Sequence, residues 1–558
     1  MSTVFGIDLG TTYSCIAYMD SNHKPVVIKN AEGSLTTPSV VYFESENSVT
    51  VGESAKENAK LFPTQVVSFI KRNIGIENYR QIINDREMRP EEISAYILKK
   101  LVKDAIDTLR DQGIDVDENS IDAVITCPAY FGMAERKATE AAGKIAGLNV
   151  LSIINEPTAA AISYGMHENA ESKRVLIYDL GGGTFDITLM EINRDTIKVI
   201  CTGGDKNLGG KDWDDRILEY LDNEYQNETG THESILDDDE ALQDLFVRVE
   251  KGKKNLSSKD RTPIPVSYKG ISKRIDLTRD KFNELTSELL ERTIALTENI
   301  IAEARQKEAE RYTDIDEILL VGGSTRMPQV MERLKLKFQC PIKLYDPDEA
   351  VAKGAAIYAS NMSSLNKLVN MYAAEEGQSP EKIQQKLNDG TLSVNAVKSR
   401  FGIGEEGSES FLNADRKIIN VCSRTYGTEV VGEIGAIIYN MIFKNSELPA
   451  KYEDDFCPVN DNQKNVSITV FESFSTKRED DLSIGKEIGN AVLTLPKGAT
   501  RRTQISIRFT LEESGLLTVY AKELMGGNEI EAVFQTVDGI SQKECDEAKQ
   551  RMSLAEVN

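Results

Sequence analysis

A glycine-rich turn occurs twice in this chain in nearly the same form, as Gly6-Ile7-Asp8-Leu9-Gly10-Thr11-Thr12 and as Tyr178-Asp179-Leu180-Gly181-Gly182-Gly183-Thr184-Phe185-Asp186. Apolar, β-branched residues lead into the second copy (Val175-Leu176-Ile177) and out of it (Ile187, Leu189), so each reads as strand, tight turn, strand. This is a hairpin, not the strand-to-helix loop of a P-loop enzyme. Glycines let the backbone approach an anion with its N–H groups forward, and the hydroxyls of Thr11, Thr12 and Thr184 add donors at the same rim. Asp8 and Asp179 at the mouths of the turns would repel a phosphate unless a cation stood between them, which implies a divalent ion such as Mg²⁺. One such turn is usually only a turn. Two copies, each opened by Asp-Leu-Gly after an apolar strand, predict two related lobes with one nucleotide between them.

Composition removes several rivals. A length of 558 residues exceeds one core and predicts two or three domains. A net charge of −24 argues against nucleic acid as a partner, which would call for a basic stripe. The seven cysteines (Cys15, Cys127, Cys201, Cys340, Cys422, Cys457, Cys545) are scattered and form no C-x-x-C pair. They read as reduced thiols of a cytoplasmic protein, not as a zinc site or a disulfide framework. No signal-peptide pattern opens the chain and no apolar run reaches spanning length, so neither export nor membrane insertion is expected. The three histidines, His23, His167 and His232, are isolated, which disfavours a histidine-based triad.

Helical periodicity at residues 91–109 puts Ile93, Ile97, Leu98, Leu101, Val102, Ala105, Ile106 and Leu109 on one face, and helical character returns at 213–226, 238–256 and 279–307. Strands at 123–126 and 318–321 alternate with these helices, which is an α/β pattern. Between residues 422 and 537 the pattern changes to short β-prone runs separated by turns, at 436–443, 466–471, 491–495, 504–511, 516–521 and 530–534, as in a β-sandwich.

Further motifs follow in order: Lys71-Arg72-Asn73-Ile74-Gly75, Cys127-Pro128-Ala129-Tyr130-Phe131, Asn155-Glu156-Pro157-Thr158, Leu208-Gly209-Gly210 and Val321-Gly322-Gly323-Ser324-Thr325-Arg326-Met327-Pro328. With the two hairpins, this set resembles the 70-kDa heat-shock protein chaperones of the actin-like ATPase superfamily. The match is close from residue 4 to about 358 and looser beyond. The resemblance implies an α/β actin-like two-lobed ATPase over residues 1–358, a helical, polar insertion and linker over 359–421, an all-β sandwich that binds peptide over 422–537, and a short helical tail at 538–558 in place of the family's lid.

The same resemblance implies ATP or ADP with Mg²⁺ as ligands and admits K⁺ beside them. Asp8 and Asp179 would hold Mg²⁺ through its water shell, and Lys71 would reach the transferred phosphate. Glu156 and Asp186, with Thr184, would orient or activate the attacking water, the base among them being left open. Gly10, Thr11, Thr12, Tyr13, Gly181, Gly182, Gly183, Gly209 and Gly210 would surround the phosphates. Glu250, Lys253, Lys254 and Ser257 would meet the nucleoside from one helix, and Gly322, Gly323, Ser324, Arg326 and Asp348 from the opposite side. Taken singly, Lys71 reads as a surface lysine, Glu156 as a helix-entry acid, the aspartates as turn residues, and the Lys-rich helix as a solvated face. It is their place in one ordered set that favours function.

In the sandwich, the resemblance puts Phe456, Val459, Val466 and Ile468 around a peptide groove, with Ile434 or Val431 opposite Val459. Alternation at Val466, Ile468 and Val470 is equally what a sandwich core requires. Pro128 and Arg136 match the family's switch proline and relay arginine for interdomain coupling. J-domain co-chaperones and nucleotide-exchange factors are implied as partners, yet the junction departs from the family: Ser152 stands in place of an arginine and Asn420 in place of the linker aspartate. The function expected is an ATP-dependent chaperone that couples hydrolysis to binding and release of unfolded polypeptide. Its rivals are an ATP-regulated binder of one dedicated partner, a small-molecule kinase and a filament-forming actin relative.

Overall fold

Both hairpins form. Val4–Asp8 pairs antiparallel with Tyr13–Met19, Asp8 facing Cys15, and Lys173–Leu180 pairs with Phe185–Ile192, Asp179 facing Asp186. The computed structural model describes residues 3–118, 120–165, 172–308, 314–388, 391–401, 416–432, 435–534 and 540–558. Each hairpin is the centre of a sheet. In the first lobe the order is Asn149–Asn155, Asp122–Cys127, Val4–Asp8, Tyr13–Met19 and Pro25–Val27. In the second it is Ile342–Leu344, Glu317–Val321, Lys173–Leu180, Phe185–Ile192, Thr196–Asp205 and Lys417–Ile419. Both sheets have parallel neighbours on one side of the hairpin and antiparallel on the other, so the duplicated motif sits in a duplicated sheet. The parallel pairs need crossovers, and helix Met133–Ile145 supplies one between Asp122–Cys127 and Asn149–Asn155.

Two helices, Glu156–Gly165 and Ala350–Glu376, pack against each other beneath the cleft. Their approach requires glycine: a Cβ on Gly354 would lie 1.7 Å from the carbonyl oxygen of Ala159. The second helix passes residue 358 without a break and runs to Glu376. Helices Pro380–Asn388 and Val394–Arg400 fold back towards it, and Val369, Ala373 and Ile383 form a small apolar core there. Those apolar residues are diluted by polar neighbours, which is why the stretch reads as polar in sequence.

The third unit is two sheets face to face, with strand orders Glu479–Asp481, Ala436–Ile442, Thr425–Val431, Asn465–Ser473, Lys486–Thr494 and Ala450–Phe456, Ile505–Leu511, Leu517–Glu523, Glu529–Phe534. Val470, Leu493, Phe509 and Val519 are in its core. Strand Ala450–Phe456 has no counterpart among the sequence-predicted strands, because Lys451, Glu453, Asp454 and Asp455 mask its pattern; it is an edge strand, where such charges are favoured.

The chain enters and leaves this sandwich through added strands. Lys417–Ile419 lies parallel on the edge of the second-lobe sheet, Ile197 facing Ile418. At the far end, a capping box of Ser541 and Glu544 starts helix Gln542–Leu554, whose Cys545, Ala548 and Met552 join the first-lobe core with Ile97 and Leu101. Strand Glu556–Val557 then adds in parallel to Ser48–Val51. Lys99 donates to the carbonyls of Met552 (2.8 Å) and Ala555 (3.2 Å), and Lys103 to that of Val557 (2.8 Å). The helix expected after the sandwich therefore forms, but it is seated on the first lobe. No described helix is long and apolar enough to cross a membrane.

Candidate functional site

The two glycine turns face each other across a cavity of about 450 Å³. They are in contact: a Cβ on Gly182 would fall 1.8 Å from Thr12 Oγ1. Gly10, Thr11, Thr12, Tyr13, Gly181, Gly182, Thr184 and Gly210 line this cavity, as do Asp8, Lys71, Glu156 and Asp179. Gly183 and Gly209 stand behind the lining, packed backbone to backbone. Asp186 is also set back, and its Oδ1 accepts from the backbone N–H of Ala129 at 2.8 Å.

At the floor, Lys71 Nζ donates to Glu156 Oε1 at 2.5 Å, and Thr126 Oγ1 donates to Asp8 Oδ1 at 3.1 Å. Burial alone would push the Lys71 ammonium down, but the carboxylates of Glu156 and Asp8 hold it above its ordinary range. Burial and the charge of Glu156 push Asp8 up to about 7 and raise Asp179 and Asp186 well above the carboxylate range. One ammonium thus stands among four carboxyl groups, Asp8, Glu156, Asp179 and Asp186, a charge imbalance that a divalent cation relieves. Among the described residues no three acidic, His or Cys side chains converge on one point as direct ligands. The acidic side chains Asp8 and Asp179 on this cavity are of the oxygen-donor kind that Mg²⁺ takes. Thr12 Oγ1 is buried without a hydrogen-bond partner and is available to a phosphate oxygen.

Helix Asp239–Leu256 supplies the opposite wall, with Glu250, Lys253, Lys254 and the following Ser257 all on the cavity. Glu250 is clasped: Tyr13 O–H donates to its Oε1 (2.8 Å), and Lys56 and Lys254 pair with it. Burial would raise this carboxyl, yet the two ammonium groups hold it at about 2. Lys254 Nζ also lies 4.6 Å from the Tyr13 ring centroid. Lys253 Nζ is held at Gly210 O (2.6 Å) and Asp214 Oδ2 (2.7 Å). On the far side Gly322, Gly323, Ser324, Arg326 and Asp348 line the cavity, with Arg326 bonded to Asp348 (2.6 Å) and Ser324 Oγ to Gly181 O (2.8 Å).

Sequence reasoning passed over several residues that join the lobes. Arg72 donates to Gly183 O (2.7 Å) and Asp212 Oδ2 (2.6 Å), and Lys56 reaches Glu250. Adjacency to Lys71 pointed towards Arg72, whereas nothing local distinguishes Lys56.

Pro128 and Arg136 lie on the segment between this site and the sandwich. Asp186 holds Ala129, the residue after Pro128. Two residues on, Phe131 O accepts from Arg136 Nε (3.3 Å) and from Ser423 Oγ (3.0 Å), at the entrance of the sandwich. On the other flank Lys307 Nζ bonds Asn445 O (2.6 Å), and Lys444 pairs with Glu303 (2.8 Å). Of the residues expected around a peptide groove, Val459 (47% exposed) and Val431 (61%) face solvent, and Phe456 and Val466 are half-buried. Ile468 (1%) lies in the core, because inward alternation along Asn465–Ser473 puts it there with Val470. Ile434 lies outside the described residues.

The family model described as "Hsp70 protein" matches residues 4–85, 77–372 and 407–557, leaving 373–406, the part with the added helices, outside it. The protein named Chaperone protein DnaK of Thermosipho melanesiensis is 38% identical over 533 residues, covering 94% of this chain and 79% of that protein. Those of Thermosipho africanus (38% over 533 residues) and Thermotoga neapolitana (37% over 534) cover the same shares. Two duplicated hairpins closing on a carboxylate-lined cavity, joined to a sandwich and matched over nearly its whole length, place the chain in the Hsp70 protein family.

Proposed function

We propose that the cavity binds Mg-ATP and that its hydrolysis governs how the sandwich holds an extended polypeptide. As a member of the Hsp70 family, the protein is an ATP-dependent chaperone and an ATPase. The division of labour assigned is an actin-like ATPase over 1–358, a helical segment and linker over 359–421 that begins within the helix Ala350–Glu376, a peptide-binding sandwich over 422–537, and a short tail over 538–558, of which helix Gln542–Leu554 seats on the first lobe.

The observation that carries the chemistry is the buried Lys71–Glu156 pair between the two turns. Phosphoryl transfer asks for positioning and charge stabilisation. An arriving phosphate competes for the Lys71 ammonium, and Glu156 is then freed to accept a hydrogen bond from the attacking water. Asp186, fixed by Ala129, and Thr184 bound the same region. Mg²⁺, when bound at Asp8 and Asp179, supplies charge neutralisation of the phosphates. Glu250, Lys253, Ser257 and Arg326 enclose the nucleoside end.

A client would lie along the sandwich by main-chain hydrogen bonds, with its apolar side chains meeting Val431, Phe456, Val459 and Val466. Burying one Leu-sized side chain contributes only about 1.5–3 kcal/mol, so binding is modest and tolerant of sequence. Coupling runs from Asp186 through Ala129 and Phe131 to Ser423, and is reciprocal.

The test is steady-state Mg-ATP hydrolysis with and without an unfolded apolar peptide, on the wild type and Lys71→Ala. Peptide stimulation of a Lys71-dependent activity supports the reading. Hydrolysis indifferent to peptide leaves an ATPase whose sandwich serves one dedicated partner, and absence of hydrolysis removes the mechanism.

A further inference from the structure

Helix Asp239–Leu256 of the second lobe presents two residues, one turn apart, to the first lobe, and they close the cleft by opposite means. Glu250 closes it ionically, through Tyr13 and Lys56. Phe246 closes it with an aromatic contact: its ring centroid is 5.7 Å from that of Phe69, at 84° between planes. Both rings are half-buried and both line the cavity. Lys211, also of the second lobe, places its ammonium 5.7 Å from the Phe69 centroid.

Phe69 reaches this position through an unusual backbone. Its φ of 59° and ψ of 21° are left-handed, a region that bulky side chains rarely occupy and that persists only when the surroundings over-determine it. The next residues, Ile70–Asn73, are the short turn carrying Lys71 and Arg72. The same backbone reversal therefore turns the Phe69 side chain towards the second lobe and is followed by Lys71 at the cleft floor and Arg72 at Gly183.

We propose that Phe69 and Phe246 form an apolar latch across the nucleotide cleft, working beside the ionic clasp, so that nucleotide release stays slow when salt weakens the clasp. This rests on reading the cavity as the nucleotide site. The chemistry of the two closures predicts the difference: ion pairs are screened as the Debye length falls from about 10 Å at 0.1 M to about 3 Å at 1 M salt, whereas an apolar contact is not weakened this way. The latch is a positioning device, touching the cleft wall and not the reacting atoms.

The experiment is stopped-flow displacement of a fluorescent ADP, with Mg²⁺, from the full chain across a salt series. Phe246→Ala should release it roughly 2- to 10-fold faster, the change expected for loss of one edge-to-face pair. The salt slope of that variant should match the wild type's, because the ionic clasp that sets it remains, so the variant is faster by the same factor at every salt concentration. Phe69→Asn keeps a residue that tolerates the left-handed backbone and removes the ring, so it should match Phe246→Ala. The double variant should be no faster than either alone, and Phe246→Tyr should restore the wild-type rate. Lys56→Met should release faster, with a flattened salt slope. A purely structural role would lower the melting temperature without changing the release rate. Wild-type release rates in both ring variants, with ADP bound normally, overturn the latch alone. Failure of the wild type to bind ADP overturns the latch together with the nucleotide reading.

Discussion

Lys71 Nζ and Glu156 Oε1 are 2.5 Å apart, each buried, at the floor of a cleft where the acids Asp8 and Asp179 also line the cavity. The pair has no counter-ion to spare, so removing either member has two separable effects. Lys71→Ala should lower single-turnover hydrolysis about a hundred- to a thousandfold, as expected for one lost charge-stabilising donor. It also leaves a buried carboxylate unpaired, at a cost of about 3–5 kcal/mol. Adding Glu156→Gln to Lys71→Ala should recover much of the melting temperature and none of the activity. A double variant no more stable than Lys71→Ala, in thermal melts without nucleotide, would show that the pair is not the source of the instability.

Phe131 O is shared by Arg136 within the first lobe and by Ser423 at the start of the sandwich. Ser423→Ala removes only the second donor. Basal hydrolysis should be nearly unchanged, while stimulation by an unfolded peptide should fall, because the short route from Asp186 to the sandwich loses its last hydrogen bond, worth about 0.5–1.5 kcal/mol. Full stimulation in this variant would move the coupling to the other flank, where Lys307 and Lys444 meet Asn445 and Glu303.

How legible all this was in sequence depended on how local the signal is. The two hairpins carry their own signature, since a glycine turn between apolar strands is specified within about ten residues, and both are found with matched aspartates. The helices at 239–256 and 279–307 follow from periodicity and end where that periodicity ends. Strand Thr425–Val431, pairing with Ala436–Ile442 and Asn465–Ser473, was not expected, because its β-prone residues are interrupted by Gly427 and Glu429. Partners distant in sequence were unreadable for a different reason: nothing near Lys56 announces Glu250, and nothing near Phe246 announces Phe69. Ile468 shows the limit of alternation, which identifies one face of a strand without saying whether that face meets a client or the opposite sheet.

Glu250 contributes to the acid limb of stability. Burial raises its carboxyl, but Lys56 and Lys254 outweigh burial and hold it at about 2, below its ordinary 4.5. A depressed acid contributes stability that is complete above 4.5 and is lost as pH falls towards 2. Glu250→Gln should therefore melt below the wild type by a constant margin from neutral pH down to about 4.5, and that margin should shrink on further acidification. A margin that stays constant through the acid range would show that the clasp does not hold the carboxyl down.

Segment Ser541–Asn558 yields the last prediction. Met552 joins the first-lobe core, and beyond it the backbone adds to Ser48–Val51, with Val51 N–H donating to Asn558 O at 2.8 Å. The helix end between them has its Met552 and Ala555 carbonyls satisfied by Lys99 of another helix. Apolar burial and edge-strand pairing thus reinforce one another, and weakening the first should release the second. Met552→Ala should cost about 2–5 kcal/mol at this site. The loss should appear as faster hydrogen exchange at the Val51 amide, while amides of the second-lobe sheet around Leu176 keep their protection. Unchanged exchange at Val51 would mean that the edge strand holds without the helix, and the two contacts would then have to be treated as independent.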